Sequence, residues 1–489
     1  VAAMPMTDLA PTSQEETAAP AEQELTETTR TALEDLVRTL LGEDKAGRRA
    51  EVREAWKQRS FRNGHQQIYY DSQTYSYMDI EASGLDLPRY RSVYNIFTPH
   101  WRSFVSILSQ NPPGINFVPE DLQRSTDVTA AAYAEKMRHR VDRLVHMKDR
   151  QAEIASMFCT DGRTITRTYV DDKGKLRIEV GGVLEWKVPI YSGSDLAEWG
   201  YAVNSKEIDK WSAKDQYPDY AEEIESAEGS SEANYERMAR LGILANRKGG
   251  GGYADALKDL VTRHIAWIRP SRYRKVDAKS QAELKAKYPE GVRVTIISGT
   301  AVECFPETME ETLAVGWPAP GKGQSRPSLL HDLTAIQEDF NDYMNMLREH
   351  IEFSIPATWV TDTVDEEALA EQRSAPGVIH TITIPANASI NDLVFQEQVA
   401  QLPPELVGNL DRLLSLAQFT TGDLPSLSGE GDPHSETASG QRMLSDQAKG
   451  QLSPAWQGLQ WLGAQTYEIA TPTAARLVSD KGSIAVSGG

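Results

Sequence analysis

Chemistry-bearing side chains are plentiful in this chain of 489 residues, yet they fall into no catalytic spacing. The nine histidines are scattered, and no two stand as H-x-x-x-H or H-x-H. His139 and His146 lie one heptad apart on an expected helix, with no third ligand in reach of the pattern, which fits a surface pair rather than a metal site. Cys159 and Cys304 are far apart and sit in no C-x-x-C or Cys/His spacing, so neither a disulfide framework nor a zinc site is expected. Gly321-Lys322-Gly323-Gln324-Ser325 lacks the G-x-x-x-x-G-K-[ST] spacing of a phosphate loop, and Pro318 and Pro320 would break the strand that should feed it. Four glycines at 249–252 precede an expected helix and could cradle a phosphate, but no fingerprint acid follows on a second strand. There is no G-x-S-x-G elbow. No catalytic, cofactor-binding or metal-ligating residue is therefore assigned and no cofactor is expected, although catalytic groups can converge from distant positions without a motif.

One charged segment stands out. Between Arg263 and Arg293 there are nine Lys/Arg against three Asp/Glu, a local net of +6 in a chain whose formal charge is −20. Its densest part is Arg269-Pro270-Ser271-Arg272-Tyr273-Arg274-Lys275. Such a run is either a solvated face or an electrostatic contact, and its spacing does not choose between nucleic acid and an acidic protein surface. The acidic balance of the whole chain argues against nucleic-acid binding by broad neutralisation of phosphates.

The elements that must position these residues follow from periodicity. At 40% hydrophobic and 25% charged, the composition is that of a soluble globular chain, long enough for two to four domains. No run approaches the eighteen apolar residues of a membrane span, and Val1-Ala2-Ala3-Met4-Pro5-Met6 offers neither basic nor apolar signal regions, so cytosolic synthesis is expected. Residues 1–30 hold six acidic residues, three prolines and no aromatic residue, which predicts a flexible arm. Helical spacing begins at about Ala32, with Leu33, Leu36, Val37, Leu40 and Leu41 on one face, and a second stretch surrounds Val52, Trp56 and Arg59. Helices are expected from Val93 to Gln110, ending at Asn111-Pro112-Pro113-Gly114, and from Ala130 to Phe158. Strands are expected at 115–119, in a hairpin of 164–171 with 175–180, and from Val183 to Pro189.

After the glycine run a helix is expected through Leu257, Leu260 and Val261. A small α/β insertion then holds strands at His264–Ile268, Val292–Ser298 and Ala301–Phe305 with a helix at 279–288. An amphipathic helix follows through Leu329, Leu333, Ile336, Phe340, Tyr343, Leu347 and Ile351, and Pro356 ends it. Beyond a strand-like Val378–Ile384 come a helix at 405–419, a polar loop at 421–435, and a long helix at 437–470 that Pro454 should kink. The fold class expected is α+β, mostly helical.

In this order the elements resemble the portal proteins of tailed bacteriophages, over roughly residues 50–470. The resemblance is carried by Trp56–Tyr70, the helix ending in Asn111-Pro112-Pro113, Ile115–Pro119, Leu176–Pro189 with Trp199-Gly200-Tyr201, His264-Ile265-Ala266-Trp267-Ile268-Arg269-Pro270 with Tyr288-Pro289-Glu290-Gly291-Val292, the helix 328–352, and Thr437-Ala438-Ser439-Gly440-Gln441 opening the last long helix. It implies a flexible arm at 1–30, a wing at 31–230, a first stem region at 231–264 and an α/β clip at 265–327. A second stem helix at 328–355, a wing return at 356–420, a tunnel loop at 421–436, a kinked tunnel helix at 437–470 and a short tail or reduced crown at 471–489 follow. The stretch 385–404 competes for the tunnel loop.

The function implied is a ring, typically of twelve subunits, at one capsid vertex of the virion. It conducts double-stranded DNA during packaging and ejection, without sequence specificity and without an ATPase of its own. Implied partners are terminase, a head–tail adaptor, the major capsid protein and a scaffold, with no membrane, and with the host cytoplasm as the place of assembly. The resemblance puts Arg269, Arg272, Arg274 and Lys275 at the clip, facing DNA, terminase or adaptor. It puts Asp423, Ser426, Ser428, Glu430, Asp432 and His434 in the tunnel loop, and the helix kink at Pro454. The alternatives are another virion assembly protein, or a hydrolase with a dispersed site.

Overall fold

The computed structural model describes residues 25–82, 89–110, 114–191, 193, 195–226, 234–244, 259–319, 327–353, 358–360, 394–396, 404–422, 450 and 452–481. The chain divides into two compact units. Val1–Leu85, Asn95–Ala335 and Gln418–Gly489 form the first, and Asp86–Tyr94 with Ile336–Ala417 the second. Both helices and sheets build the protein, and its class is α+β.

The first unit opens with helices α1 (Glu27–Gly42) and α2 (Lys45–Arg62) and the hairpin β1 (Ile68–Asp71) and β2 (Ser76–Asp79). Helices α3 (Phe97–Gln110), α4 (Ser125–Leu144) and α5 (Met147–Thr160) follow, then β3 (Thr164–Val170), β4 (Leu176–Gly181), β5 (Trp186–Lys187) and β6 (Tyr201–Asp209). Short helices α6 (Lys210–Gln216), α7 (Ala221–Ser226) and α8 (Asn234–Leu241) precede β7 (Leu260–Ile268), α9 (Ala278–Lys287), β8 (Val292–Ile297), β9 (Thr300–Phe305), α10 (Met309–Thr312) and β10 (Leu313–Gly316). The chain continues through α11 (Leu333–Phe353), the strand pair β11 (Thr358–Val360) and β12 (Val394–Gln396), α12 (Pro404–Thr421) and α13 (Ser453–Lys481).

The centre is a five-stranded antiparallel sheet in the order β5-β6-β7-β8-β9. Alternation along its strands sends side chains to opposite faces. Val203, Ala266, Ile268, Val292 and Val294 join Leu33, Leu36, Val37 and Leu40 of α1 and Leu284 of α9 in one buried cluster. Ala202, Ile265 and Trp267 join Trp186, Ile165, Leu313, Val315 and Trp317 in another. A second sheet, β10-β3-β4, lies under α13, whose Leu459 and Leu462 bury with Ala314, Leu108, Ile154 and Phe158. The β8–β9 turn puts Ser298 at φ 56° and Gly299 at φ 94°, the two positive angles of a tight hairpin.

Several expectations need correction. Helix α1 starts at Glu27, inside the expected arm, because the Glu283 carboxylate accepts from the Thr26 amide at 3.1 Å and from both threonine hydroxyls, Thr26 at 2.7 Å and Thr29 at 2.5 Å. Helix α3 starts four residues late, since Asn95 Oδ1 caps it by accepting from the Thr98 amide at 3.0 Å. Residues 115–119 are not a strand: Ile115 and Phe117 pack on an apolar cluster, and no ladder partner runs beside them among the described residues. The expected helix 130–158 is two helices, broken where His146 takes a left-handed φ of 52°. Val145 and Met147 enter the same cluster, yet on a continuous helix two residues lie about 200° apart, so the break satisfies both.

The expected strand Val183–Pro189 shrinks to Trp186–Lys187, because Arg48 takes the carbonyls of Val183, Leu184 and Trp186 at 2.7, 3.3 and 3.2 Å. Leu260 and Val261 begin a strand rather than continue a helix, since β7 pairs with β6 over its whole length, Asp209 opposite Leu260 to Tyr201 opposite Ile268. The boundary at 264/265 therefore falls inside β7. The 265–327 segment is no separate insertion, because its strands share a sheet with residues of the expected wing. Helix α11 begins at Leu333 rather than 328, because the Leu329 and Leu330 amides donate to Phe158 and Cys159 carbonyls at 3.1 and 3.2 Å.

In α13, Pro454 occupies the first turn, where a missing amide costs nothing, so it makes no kink. The proline inside that helix is Pro472, and the helix runs through residues 471–481 of the expected tail. The expected strand Val378–Ile384, the glycine segments at 249–252 and 321–323, the stretch 385–404 apart from Val394–Gln396 and Pro404, and residues 437–449 lie outside the described residues.

Candidate functional site

The basic segment forms a short 3-10 turn, Pro270–Lys275, between β7 and α9. Most of its charge is spent inside the protein. Arg269 donates to the carbonyls of Trp199 at 2.7 Å and Leu196 at 3.1 Å and pairs with Glu310. Arg272 lies over the ring of Tyr201, 5.2 Å from its centroid, reaches the Tyr191 hydroxyl at 2.5 Å and pairs with Glu43 at 3.4 Å. Gly200 makes room for it, since a Cβ there would stand 2.5 Å from Arg272 Nε. Lys275 also pairs with Glu43. Arg274 is exposed and has no partner among the described residues.

Three of the four cations thus tie Glu43, at the α1–α2 junction, and Glu310 to the sheet, while Arg274 is exposed, as are Ile190 and the Tyr191 that Arg272 reaches. Reversing charge at Arg272 or Lys275 would break an internal contact as well as any external one. The tunnel-loop residues Asp423, Ser426, Ser428, Glu430, Asp432 and His434 lie outside the described residues.

The first unit also holds an ionic core that no spacing in the sequence announces. Arg59 grips Asp161 with two hydrogen bonds, at 2.9 and 2.6 Å, and Glu185 with two more, at 2.6 and 2.8 Å. The Asp161 side chain is 0% exposed and also accepts from the Val183 amide and the Thr160 hydroxyl. Burial alone would raise the Glu185 carboxyl, but the Arg59 charge overrides it and holds it at about 2. Arg48, 3% exposed, pairs with Glu236 at 3.2 Å, and burial is likewise overridden there, holding Glu236 at about 2. Burial pushes Lys187 down to about 8 and His264, hydrogen-bonded to Ser205 at 2.8 Å, down to about 4.

A smaller cluster closes α2 against the residues leading into α11. His331 Nδ1 lies 2.9 Å from Glu54, Gln58 donates to Glu54 at 2.9 Å, and the Ser328 hydroxyl donates to Gln58 at 2.5 Å. The hydrogen bond to Glu54 raises the His331 pKa, and the same bond lowers that of Glu54. The raised histidine contributes its stability below the unfolded value of 6.5 and loses it as pH rises through its folded pKa; the lowered glutamate contributes above 4.5 and loses it as pH falls. The pair is therefore fullest between those two values. In Glu54→Gln the NMR titration midpoint of His331 is expected to fall toward that of a free histidine; an unmoved midpoint would contradict the pairing.

The second unit carries a different device. Gln337, Asn341 and Asn345 repeat every four residues along one side of α11 and are buried. Gln337 donates to the Tyr94 carbonyl at 3.0 Å, Asn341 accepts from the Tyr94 amide at 2.9 Å, and Asn345 both accepts from the Ser92 amide at 2.8 Å and donates to its carbonyl at 3.1 Å. Arg348 adds a bond to the Ser92 hydroxyl at 2.7 Å and lies over Tyr90. The side chains of a helix thus complete the backbone hydrogen bonds of an extended segment. Helical-period amides, read in the sequence only as the polar side of an apolar seam, were the available signal.

Among the described residues no group of three or more His, Cys, Asp or Glu is placed to hold a metal ion, and no helix is long and apolar enough to cross a membrane. Cys159 and Cys304 are buried free thiols. A cavity of about 30 Å³ lies between Ile154, Ile178, Gly463 and Tyr467, room for about one water rather than a substrate. No family model and no curated protein matches the chain.

Proposed function

We propose that the protein is a viral portal: a ring-shaped oligomer at one capsid vertex that forms the channel for double-stranded DNA and the docking site for terminase and a tail adaptor. The observation that carries this reading is the order of the quoted motifs along the chain. The strand–helix–strand segment through His264-Ile265-Ala266-Trp267-Ile268-Arg269-Pro270 is followed by the amphipathic helix α11 and later by the long helix α13. The formal charge of −20 suits a conduit, because like charge keeps a duplex from adhering to the wall.

In this reading Arg274, Ile190 and Tyr191 belong to the surface that meets the motor or adaptor, and the paired Arg269, Arg272 and Lys275 hold that surface to the sheet. Wing and clip then share the sheet β5-β6-β7-β8-β9. The protein acts in the virion, assembles in the host cytoplasm and hydrolyses no nucleotide itself.

Mass photometry with negative-stain imaging tests the proposal. Twelve subunits of 54.3 kDa make roughly 0.65 MDa, and closed rings with a central hole are expected. A dimer or tetramer with a closed pocket in each subunit would overturn the reading and return attention to an enzyme.

A further inference from the structure

The outer face of α4 carries a row of cations that no contact described above uses. Its inner face is fixed: Ala131, Ala134, Val141 and Val145 are buried, and Val141 and Val145 share a cluster with Tyr467, Ala470 and Ala474 of α13. The carboxylates of α4 are turned to internal work as well. Arg138 lies between Glu135 at 2.6 Å and Asp142 at 3.4 Å, and the Tyr467 hydroxyl donates to Asp142. At 3.6 residues per turn, the side opposite that buried face holds Lys136, Arg140 and Arg143, within roughly 60° of one another around the axis and about 10 Å from first to last along it.

Lys136 and Arg143 are exposed and Arg140 half-exposed; exposed His146 and Lys148 continue the row at the α4–α5 break. Lys136, Arg140, Arg143 and Lys148 have no hydrogen-bond or ion-pair partner among the described residues. The contrast with 269–275 is direct, since there three of four cations are neutralised internally. Between 136 and 150 the sequence holds six Lys/Arg against two Asp, a second positive segment in the acidic chain.

We propose that this face of α4 and the start of α5 bind the phosphate backbone of duplex DNA. Unpaired cations at helical pitch on a rigid element need only reach phosphate oxygens, and they read no bases. A protein interface would want an apolar centre. Here the exposed apolar side chains of α4 stand beside the row rather than within it, Tyr133 at 39% and Leu144 at 46% along one edge and Val128 at 43% two turns earlier on the other. The assignment rests on the proposed function for the polyanion being DNA, and not for the existence of the surface.

The test is fluorescence anisotropy of the full chain with a labelled duplex of mixed sequence, titrated from low to physiological salt. In Lys136→Gln/Arg140→Gln/Arg143→Gln, the slope of log K against log salt is expected to become shallower by about 2.7, at about 0.9 per lost contact, and equally for any sequence. Lys173→Gln/Lys175→Gln, two exposed lysines of the β3–β4 turn, removes charge elsewhere and should leave the slope in place. An unchanged slope in a triple variant that melts and sizes like the parent would overturn the proposal, and so would a parent that binds no duplex at low salt. Polyglutamate competing as well as duplex would reassign the face to an acidic protein and overturn it too. Should the triple variant fold poorly, Arg143→Gln alone must still shift the slope by about 0.9. Rings without the slope change would sink this proposal alone; the slope change without rings would sink the portal reading alone.

Discussion

Arg59→Ala is expected to destabilise the first unit by about 3–5 kcal/mol, the range for removing one partner of a buried ion cluster. The loss is large because two carboxylates stay behind. Asp161, with no exposed side-chain surface, and Glu185 would both lie in low dielectric without the guanidinium that now binds each of them twice. Arg59→Lys keeps one charge but not the planar fork, so it should recover only part of the loss. The pH dependence gives a second readout with a defined sign. In the parent, Glu185 has a depressed pKa of about 2, so its contribution is present above 4.5 and disappears as pH falls toward 2. In Arg59→Ala only the Gly182 and Glu185 amides still oppose burial, the carboxyl pKa rises from its parent value, and the variant should lose less stability than the parent as pH falls. Denaturant melts at several pH values decide the matter; parallel pH profiles for parent and variant would refute the assignment.

Gly458→Ala should also be costly, against the ordinary expectation for a helix. In a solvated helix, alanine for glycine gains about 1 kcal/mol. At Gly458, however, an added Cβ would stand 1.9 Å from the Trp317 carbonyl oxygen, which is backbone and cannot turn aside. The facing position has the same constraint: a Cβ at Gly316 would meet Leu462 Cβ at 2.8 Å and the Gly458 carbonyl at 3.2 Å. Overpacking of this kind costs about 1–3 kcal/mol and here falls at the upper end, so the steric term outweighs the propensity. Gly408→Ala in α12 is the matched control. Nothing lies within 4 Å of its added Cβ, and it should be neutral or stabilising. Equal melting temperatures for the two variants would refute the close approach of α13 to β10.

Local periodicity made most helices and hairpins legible in the sequence. The leucine spacing after Ala32, the turn at Asp172-Lys173-Gly174 and the Ser298-Gly299 reversal all act within a few residues. Errors came where distant partners decide. Leu260 and Val261 fit a helix by spacing, and only pairing with residues 201–209 makes them a strand. Val183–Pro189 has strand composition, but Arg48, about 135 positions earlier, takes its carbonyls. The basic run at 269–275 was visible, yet its neutralisation by Glu43 and Glu310 is a tertiary fact. The freer cations at 136–143 stand out only once the buried face of α4 is seen to be the opposite one. Pro454 shows the limit of a rule without a boundary, since the same proline kinks an interior and starts a first turn.

The placement of α13 has a consequence for synthesis. The cluster of Leu108, Ile154, Phe158 and Ala314 is completed by Ala455, Leu459 and Leu462, about 150 positions after Ala314. At ribosomal speeds of about 5–20 residues per second, the seam stays open for about 7–30 s after its other walls have been made. A nascent chain passes that interval with an uncovered apolar groove whose shape fits one helix of its own. Neighbouring chains on the same message hold that helix too, so domain-swapped pairs are the natural error of crowded translation, and finished subunits are the first species with nothing left to exchange.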